Sequence, residues 1–144
     1  MKKQNLIESM GSLFEDFGVS PIAGRIFGLL LYSDDAVSLI QISKELSLSK
    51  ASVSINIRLL ERMGYCRKTA AGGGRQHFYI LRENYLEIVY KKRLDMERSF
   101  INTFSDENSE ELPVHVENRI SRFMEFNSYI ISSQERALKE WKNK

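Results

Sequence analysis

The 144-residue sequence predicts a mainly α-helical protein with one small β-hairpin. Three observations lead to this fold class. Apolar residues recur at helical spacing in six segments of the chain. Two strand-like runs flank a glycine-containing loop at residues 70–75. A short helix, a tight turn and a second amphipathic helix come directly before these strands. A helix-turn-helix followed by such a hairpin is a winged helix-turn-helix, here with additional helices at both ends.

The first two predicted helices have clear start and stop signals. The main apolar stripe of a helix over residues 3–17 is Leu6, Met10, Leu13 and Phe17, with Ile7 and Phe14 beside it. Gly18 ends this helix. Ser20 is a good N-cap and Pro21 a good first residue for the second helix, which extends to about residue 33. Arg25 lies inside this apolar helix, so we expect it to form an ion pair rather than to contact DNA.

The next two helices form the predicted helix-turn-helix. Ser38 caps a short helix over residues 39–46, two residues make the turn, and Ser49 caps a second helix that Gly64 ends. The apolar stripe of this second helix is Val53, Ile57, Leu60 and Met63. The spacing therefore buries one face and exposes the other.

The opposite face of the second helix has the side chains of a DNA-reading surface. It carries small polar groups, an amide and two cations, namely Lys50, Ser52, Ser54, Asn56 and Arg58. These five residues, together with Ser49 at the start of the helix, are the predicted DNA contacts of this face. Hydrogen-bond donors and slim side chains without a carboxylate suit a DNA major groove. The alternative is an ordinary solvated amphipathic helix, but such a helix usually mixes both signs of charge.

The hairpin is predicted to have strands over residues 65–69 and 76–81. Gly72–Gly74 would form its tip, where a backbone without side chains can approach DNA closely. The loop is not a nucleotide phosphate-binding loop, because no Lys-Ser/Thr pair follows it and it lies between strands.

Positive charge is concentrated around these elements. Residues 44–77 contain seven Lys or Arg and two Glu, a net charge of +5, whereas the whole chain carries only +2. A local basic patch of this kind indicates a duplex-DNA partner. Arg67 and Lys68 are expected to contact phosphates and Arg75 the minor groove, with a solvated loop arginine as the alternative for Arg75.

The remaining helical segments, over about 83–104 and 114–141, carry long apolar stripes joined by an acidic linker at 105–113. A small winged helix cannot cover both stripes, so we expect them to pair with a second subunit, together with the N-terminal helix. Packing within one subunit is the alternative. The predicted domains are an N-terminal dimerisation helix over 1–18, a DNA-binding winged helix-turn-helix over 19–82 and C-terminal dimerisation helices over 83–144.

Several classes of function find no support in the sequence. His77 and His115 have no catalytic or metal-like spacing with other groups, so no enzyme, metal site or cofactor is predicted. The sequence has neither a membrane-spanning apolar run nor a signal-peptide pattern, which predicts a cytoplasmic protein. The single cysteine, Cys66, is expected to be a buried core residue of the first wing strand. The alternative, a redox-sensing thiol, would require exposure and a low pKa.

Three stretches of sequence carry a family resemblance. Ala23–Leu30 reads AGRIFGLL, Asp34–Leu39 reads DDAVSL and Ser49–Glu61 reads SKASVSINIRLLE. They lie within Ser20–Lys68, which resembles the GbsR-type (betaine-synthesis regulator) branch of the MarR-like transcriptional regulators. The wing and C-terminal helices resemble this branch more weakly. The wing sequence GGGRQHFY departs from the branch, since relatives often carry an acidic residue beside the wing arginine.

The resemblance implies a homodimeric repressor that binds an inverted-repeat operator and responds to choline or glycine betaine. Aromatic rings bind quaternary ammonium ions through their quadrupole, and the candidate rings are Phe27, Tyr32, Tyr85 and Tyr90. Core packing is the alternative role for each ring. A second function remains open, in which the winged helix docks a protein or nucleoprotein complex without reading sequence.

Overall fold

The computed structural model describes residues 1–70, 74–105 and 112–144, which form six helices and three strands. In chain order the elements are α1 (Lys3–Asp16), α2 (Pro21–Tyr32), β1 (Val37–Ser38), α3 (Leu39–Leu46), α4 (Lys50–Met63), β2 (Cys66–Thr69), β3 (Phe78–Leu81), α5 (Tyr85–Thr103) and α6 (Val114–Lys142). The chain divides into two compact units, Met1–Val89 and Tyr90–Lys144. The predicted fold class, mainly α with a small β wing, is confirmed.

Serine hydroxyls begin three helices of the first unit. Each accepts a hydrogen bond from the backbone N–H three residues later, and the three are Ser20, Ser38 and Ser49. Gln41 completes a capping box by accepting from the Ser38 N–H. Gly64 ends α4 at a φ of 96°, a left-handed conformation that suits glycine. The starts of α2, α3 and α4 and the end of α4 therefore lie at the predicted residues.

The three strands form one antiparallel sheet in the order β1-β3-β2. Its Cα partners include Val37 with Tyr79 and Cys66 with Leu81. β3 begins at Phe78, two residues later than the predicted Gln76. The carbonyl of His77 instead accepts a hydrogen bond from the Leu39 N–H (3.2 Å), at the start of α3.

The core of the first unit joins α1 to the helix-turn-helix, chiefly through the apolar residues of α1 that lie beside its main predicted stripe. Its buried residues are Ile7, Gly11 and Phe14, whereas Leu13 is exposed and Phe17 is 75% exposed. Both residues belong to the helix that is predicted to pair with a second subunit. The two residues remain solvent-exposed in the isolated chain.

Close packing of α1 on α2 explains which residues of α1 are buried. A Cβ added to Gly24 would lie 2.3 Å from the carbonyl oxygen of Met10, and one added to Gly28 would lie 2.9 Å from the Cα of Ile7. Only glycine allows the two helix backbones to approach so closely. Arg25 also holds the helices together through an ion pair with Glu8 (3.2 Å), as predicted.

The second unit has a small interior and a largely exposed apolar surface. Leu94 and Ile131 are the buried residues among those that the structure describes in this unit. Arg98 on α5 forms an ion pair with Glu135 on α6. Most of the predicted acidic linker, residues 106–111, lies outside the described residues. Within the described ranges, no helix is long and apolar enough to span a membrane.

Candidate nucleic-acid interface

The outward face of α4 combines cationic, small and apolar side chains. Residues three, four and seven positions apart share one face of a helix, and the exposed stripe consists of Ala51, Ile55, Arg58 and Arg62. Lys50 lies exposed at the N-terminus of the helix. The single carboxylate of α4, Glu61, is half-buried beside this stripe. The face therefore offers positive charge without an exposed carboxylate of its own.

Arg58 is fixed against the turn of helix that precedes it. Its Nε donates to the backbone carbonyl of Ser54 (3.1 Å), and its Nη2 donates to the Ser54 hydroxyl (2.6 Å). Ser52 and Ser54 are half-buried, and the exposed Ser49 uses its hydroxyl for capping. The predicted polar residues other than Asn56 thus lie on or beside the outward face.

Asn56 does not lie on the outward face, and its predicted role as a base-contacting residue is wrong. Its side chain is only 8% exposed. Its Nδ2 donates to the carbonyl of Ser52 (2.9 Å), while its Oδ1 accepts from the hydroxyl of Ser20 (2.5 Å). The amide therefore connects the start of α2 to α4 inside the protein.

The wing places three cations at the surface of the same unit. Arg67 and Lys68 are exposed on β2, and Arg75 is exposed in the loop before β3. Gly74 has a φ of 113°, which allows the chain to turn where other residues would be strained. The other predicted tip glycines, Gly72 and Gly73, lie outside the described residues.

Cys66 is a core residue of the first wing strand, as predicted. Its side chain is fully buried, and burial, together with the negative charge of Glu61, raises the pKa of its thiol to about 12. The same two causes raise the pKa of the neighbouring Tyr79. A thiol that is buried and protonated at neutral pH lacks the properties of a redox sensor.

The four rings proposed to bind a quaternary ammonium ion do not have equal access to solvent. Phe27 is buried, and its ring packs against Tyr65 (4.8 Å between centroids) and Tyr85 (5.7 Å), so its assignment to a ligand site is wrong. Tyr85 is half-buried in the same cluster. Tyr32 is exposed, and the centroid of its ring lies 5.6 Å from the Nζ atom of Lys3. Tyr90 is exposed in the second unit.

Two residues of the exposed stripe, Ile55 and Arg62, are not part of the predicted DNA-reading surface. Both follow Ala51 and Arg58 at helical spacing, so the same periodicity that identified the buried stripe could have identified the exposed one. No cluster of three or more potential metal ligands occurs among the described residues.

Comparisons with known proteins identify two curated relatives. Over 89 residues the chain is 30% identical to the HTH-type transcriptional regulator MmpR5 of Mycobacterium tuberculosis, covering 61% of this chain and 54% of that protein. Over 82 residues it is 24% identical to the HTH-type transcriptional repressor GbsR of Bacillus subtilis, covering 57% and 45%. The chain thus spans about half the length of the curated relatives it matches. No family model matches it.

A solved structure has the same fold over the entire chain. The crystal structure of a transcriptional regulator superposes with a TM-score of 0.76 at 22% identity and covers 99% of both chains. The two curated relatives are transcriptional regulators, in agreement with the prediction that the chain is not an enzyme. The chain is therefore similar in sequence to helix-turn-helix transcriptional regulators, and the predicted resemblance to GbsR is confirmed.

Proposed function

We propose that the chain is a homodimeric transcriptional regulator that binds duplex DNA in a sequence-specific manner. The observation that carries the proposal is the outward face of α4, where Lys50, Arg58 and Arg62 are exposed without an exposed carboxylate from the same helix. Such a surface neutralises phosphate charge and provides donors for base edges in a major groove.

The wing extends this surface in the same unit. We assign Arg67 and Lys68 to the phosphate backbone, where cations fix the position of the protein but read no sequence. Arg75 is assigned to the minor groove, since narrow A·T-rich grooves have a strong negative potential. With α4 in the major groove, residues 19–82 form the proposed DNA-binding domain.

Dimerisation is assigned to residues 1–18 and 83–144. The second unit exposes several large apolar side chains, including Phe100, Phe126, Tyr129 and Trp141. Exposed apolar surface of this kind is typical of a protein–protein interface. Leu13 of α1 and Phe17, which follows the end of α1, are exposed as well. Two copies related by a two-fold axis would present two α4 helices to two half-sites, and the corresponding operator is an inverted repeat.

Repression and a small effector complete the proposal. The relative GbsR is a transcriptional repressor, which supports the same sign of regulation for this chain. The quaternary ammonium effector stays a prediction, with Tyr32 and Tyr90 as its exposed candidate rings. Calorimetry of the dimer with choline and with glycine betaine tests it. Absence of heat, together with operator binding that millimolar ligand leaves unchanged, would remove the effector.

Selection from a randomised duplex library tests the DNA-binding proposal. We expect the protein to enrich an inverted repeat and to bind it far more tightly than a scrambled duplex of the same composition. Affinity should fall steeply as salt rises, because phosphate contacts release counterions. Equal affinity for selected and scrambled duplexes would instead favour a docking module that does not read sequence.

A further inference from the structure

Ile55 is a large apolar side chain at the centre of a cationic surface. It is 66% exposed, with Ala51 one turn before it and Arg58 one turn after it on the same stripe. A single exposed isoleucine is common on protein surfaces and would require no explanation elsewhere. Here it occupies the middle of the surface that we assign to the major groove. A β-branched residue also adds less to helix stability than a long polar side chain would.

The position of Ile55 limits what it can touch on DNA. Ile55 is the sixth residue of α4, within the N-terminal half of the helix, which in helix-turn-helix complexes contacts base edges. Ile55 and Arg58 lie about 4.5 Å apart along the helix axis, slightly more than the roughly 3.4 Å between base pairs. The two side chains would therefore reach neighbouring base pairs.

Ala51 and Ser54 leave room around Ile55. Both are small, and Ser54 already uses its hydroxyl to hold the guanidinium of Arg58. The helix can thus approach the floor of the groove closely enough for an isoleucine to contact a base. In the major groove the group that an apolar side chain can distinguish is the C5-methyl of thymine, since the other base edges present donors and acceptors.

We infer that Ile55 reads the methyl group of a thymine in each half-site of the operator. This inference rests on the proposed function, because it requires α4 to lie in the major groove. A protein partner is a different occupant for the same side chain. The cations around Ile55 favour the polyanionic duplex, and they would have to be desolvated against most protein surfaces.

Deoxyuridine substitution tests the inference, since deoxyuridine differs from thymidine only by that methyl. In the duplex selected from the randomised library, each thymine is replaced in turn at symmetric positions of both half-sites. For the wild-type dimer we expect at least one position at which the replacement weakens binding roughly four-fold per half-site, the value of one buried methyl group. For Ile55→Ala the penalty at that position should disappear.

Lys50→Ala is the matched control. We assign Lys50, which is exposed at the start of the same helix, to a phosphate. Its loss should weaken binding to thymine and deoxyuridine duplexes by the same factor and keep the wild-type penalty. Ile55→Ala should unfold at the wild-type temperature, because an exposed residue is replaced by a better helix former.

The outcomes separate this inference from the proposed function. If the wild-type protein enriches no duplex, the proposed function itself fails. If it enriches one, but no deoxyuridine penalty disappears in Ile55→Ala, the methyl-reading role is wrong while DNA binding stands. Dissociation of the Ile55→Ala dimer would place Ile55 in a protein interface and would also overturn the inference.

Discussion

The hydroxyl of Ser20 donates a 2.5 Å hydrogen bond to Oδ1 of Asn56, across 36 residues of sequence. The same hydroxyl accepts from the Ala23 N–H as the N-cap of α2, and the Asn56 amide also donates to the Ser52 carbonyl. One buried polar connection thus links the start of α2 to the helix that carries the proposed DNA-reading face. Its position makes Asn56 a residue that orients α4.

Replacing Asn56 by alanine should destabilise the fold rather than relax base specificity. The change removes the acceptor of the Ser20 hydroxyl at a partly buried position, and the loss of such a hydrogen bond costs about 1 kcal/mol of unfolding free energy. Urea unfolding measures this, with Lys50→Ala as a surface control expected within about 0.5 kcal/mol of wild type. Unchanged stability, with specificity lost at one base pair only, would restore the base-contacting role.

Lys68→Ala should weaken binding to every DNA sequence by a similar factor. It removes one proposed phosphate contact, so the slope of log affinity against log salt should fall in magnitude by about one. Titrations at several salt concentrations, with selected and scrambled duplexes, measure this.

Arg75→Ala should reduce affinity most for operators with A·T-rich flanks. If neither variant changes operator affinity, the wing does not contact DNA.

Ile120→Asp or Ile130→Asp should dissociate or unfold the proposed dimer. Both residues are half-buried on α6 in the isolated chain, and a charge there could not be buried against a second subunit without a large desolvation cost. Sedimentation at micromolar concentration measures the oligomeric state. Asn118→Asp, which adds the same charge at an exposed position of α6, is the control. A wild-type protein that sediments as a monomer would refute the proposed dimer.

Native Cys66 should react slowly with a bulky maleimide and rapidly after unfolding in urea. Because the thiol pKa is raised from its ordinary value of 9.0 to about 12, the unfolded state loses this proton at lower pH than the native state. The contribution of the protonated thiol to the free energy of unfolding is therefore complete below about pH 9 and is lost as pH rises toward 12.

The same linkage predicts a difference between wild type and Cys66→Ala. Wild-type unfolding free energy should fall more steeply with pH between about 9 and 12 than that of the variant. Tyr79, whose pKa is also raised, accounts for part of the decline that remains. Fast labelling of the folded wild-type protein at neutral pH would contradict the buried assignment.

Gly24→Ala should be strongly destabilising, although alanine is the better helix former. Its Cβ would lie 2.3 Å from the Met10 carbonyl oxygen, so α1 and α2 would have to separate. Thermal unfolding against Ser12→Ala, an exposed position of α1, measures the effect. A melting temperature equal to that of the control would show that α1 does not pack closely on α2 in solution.

Local signals predicted the helix boundaries well, because caps and glycines act within a few residues. Ser49 and Gly64 define α4 in the structure as they do in the sequence. Polarity alone predicts the wrong position for Asn56, because a polar side chain that is hydrogen-bonded can be buried. It lies three residues after Val53 and four before Leu60, so its spacing already placed it on the buried face.

Side-chain contacts between distant segments could not be predicted in this way. The buried face of α1 depends on the glycines of α2, which have no side chain for a hydrophobic pattern to register. The hydrogen bond between Ser20 and Asn56 joins two helices whose relative placement only the tertiary structure defines.

If Arg58 binds DNA as proposed, its attachment to Ser54 affects the entropy of that binding. A long side chain that is free in solution samples many rotamers, and immobilising it in an interface costs roughly 0.5–1.5 kcal/mol. Two hydrogen bonds to Ser54 already restrict Arg58 in the isolated chain, so part of this loss occurs on folding rather than on association. The affinity contributed by the arginine therefore depends on a serine that has no need to touch DNA itself.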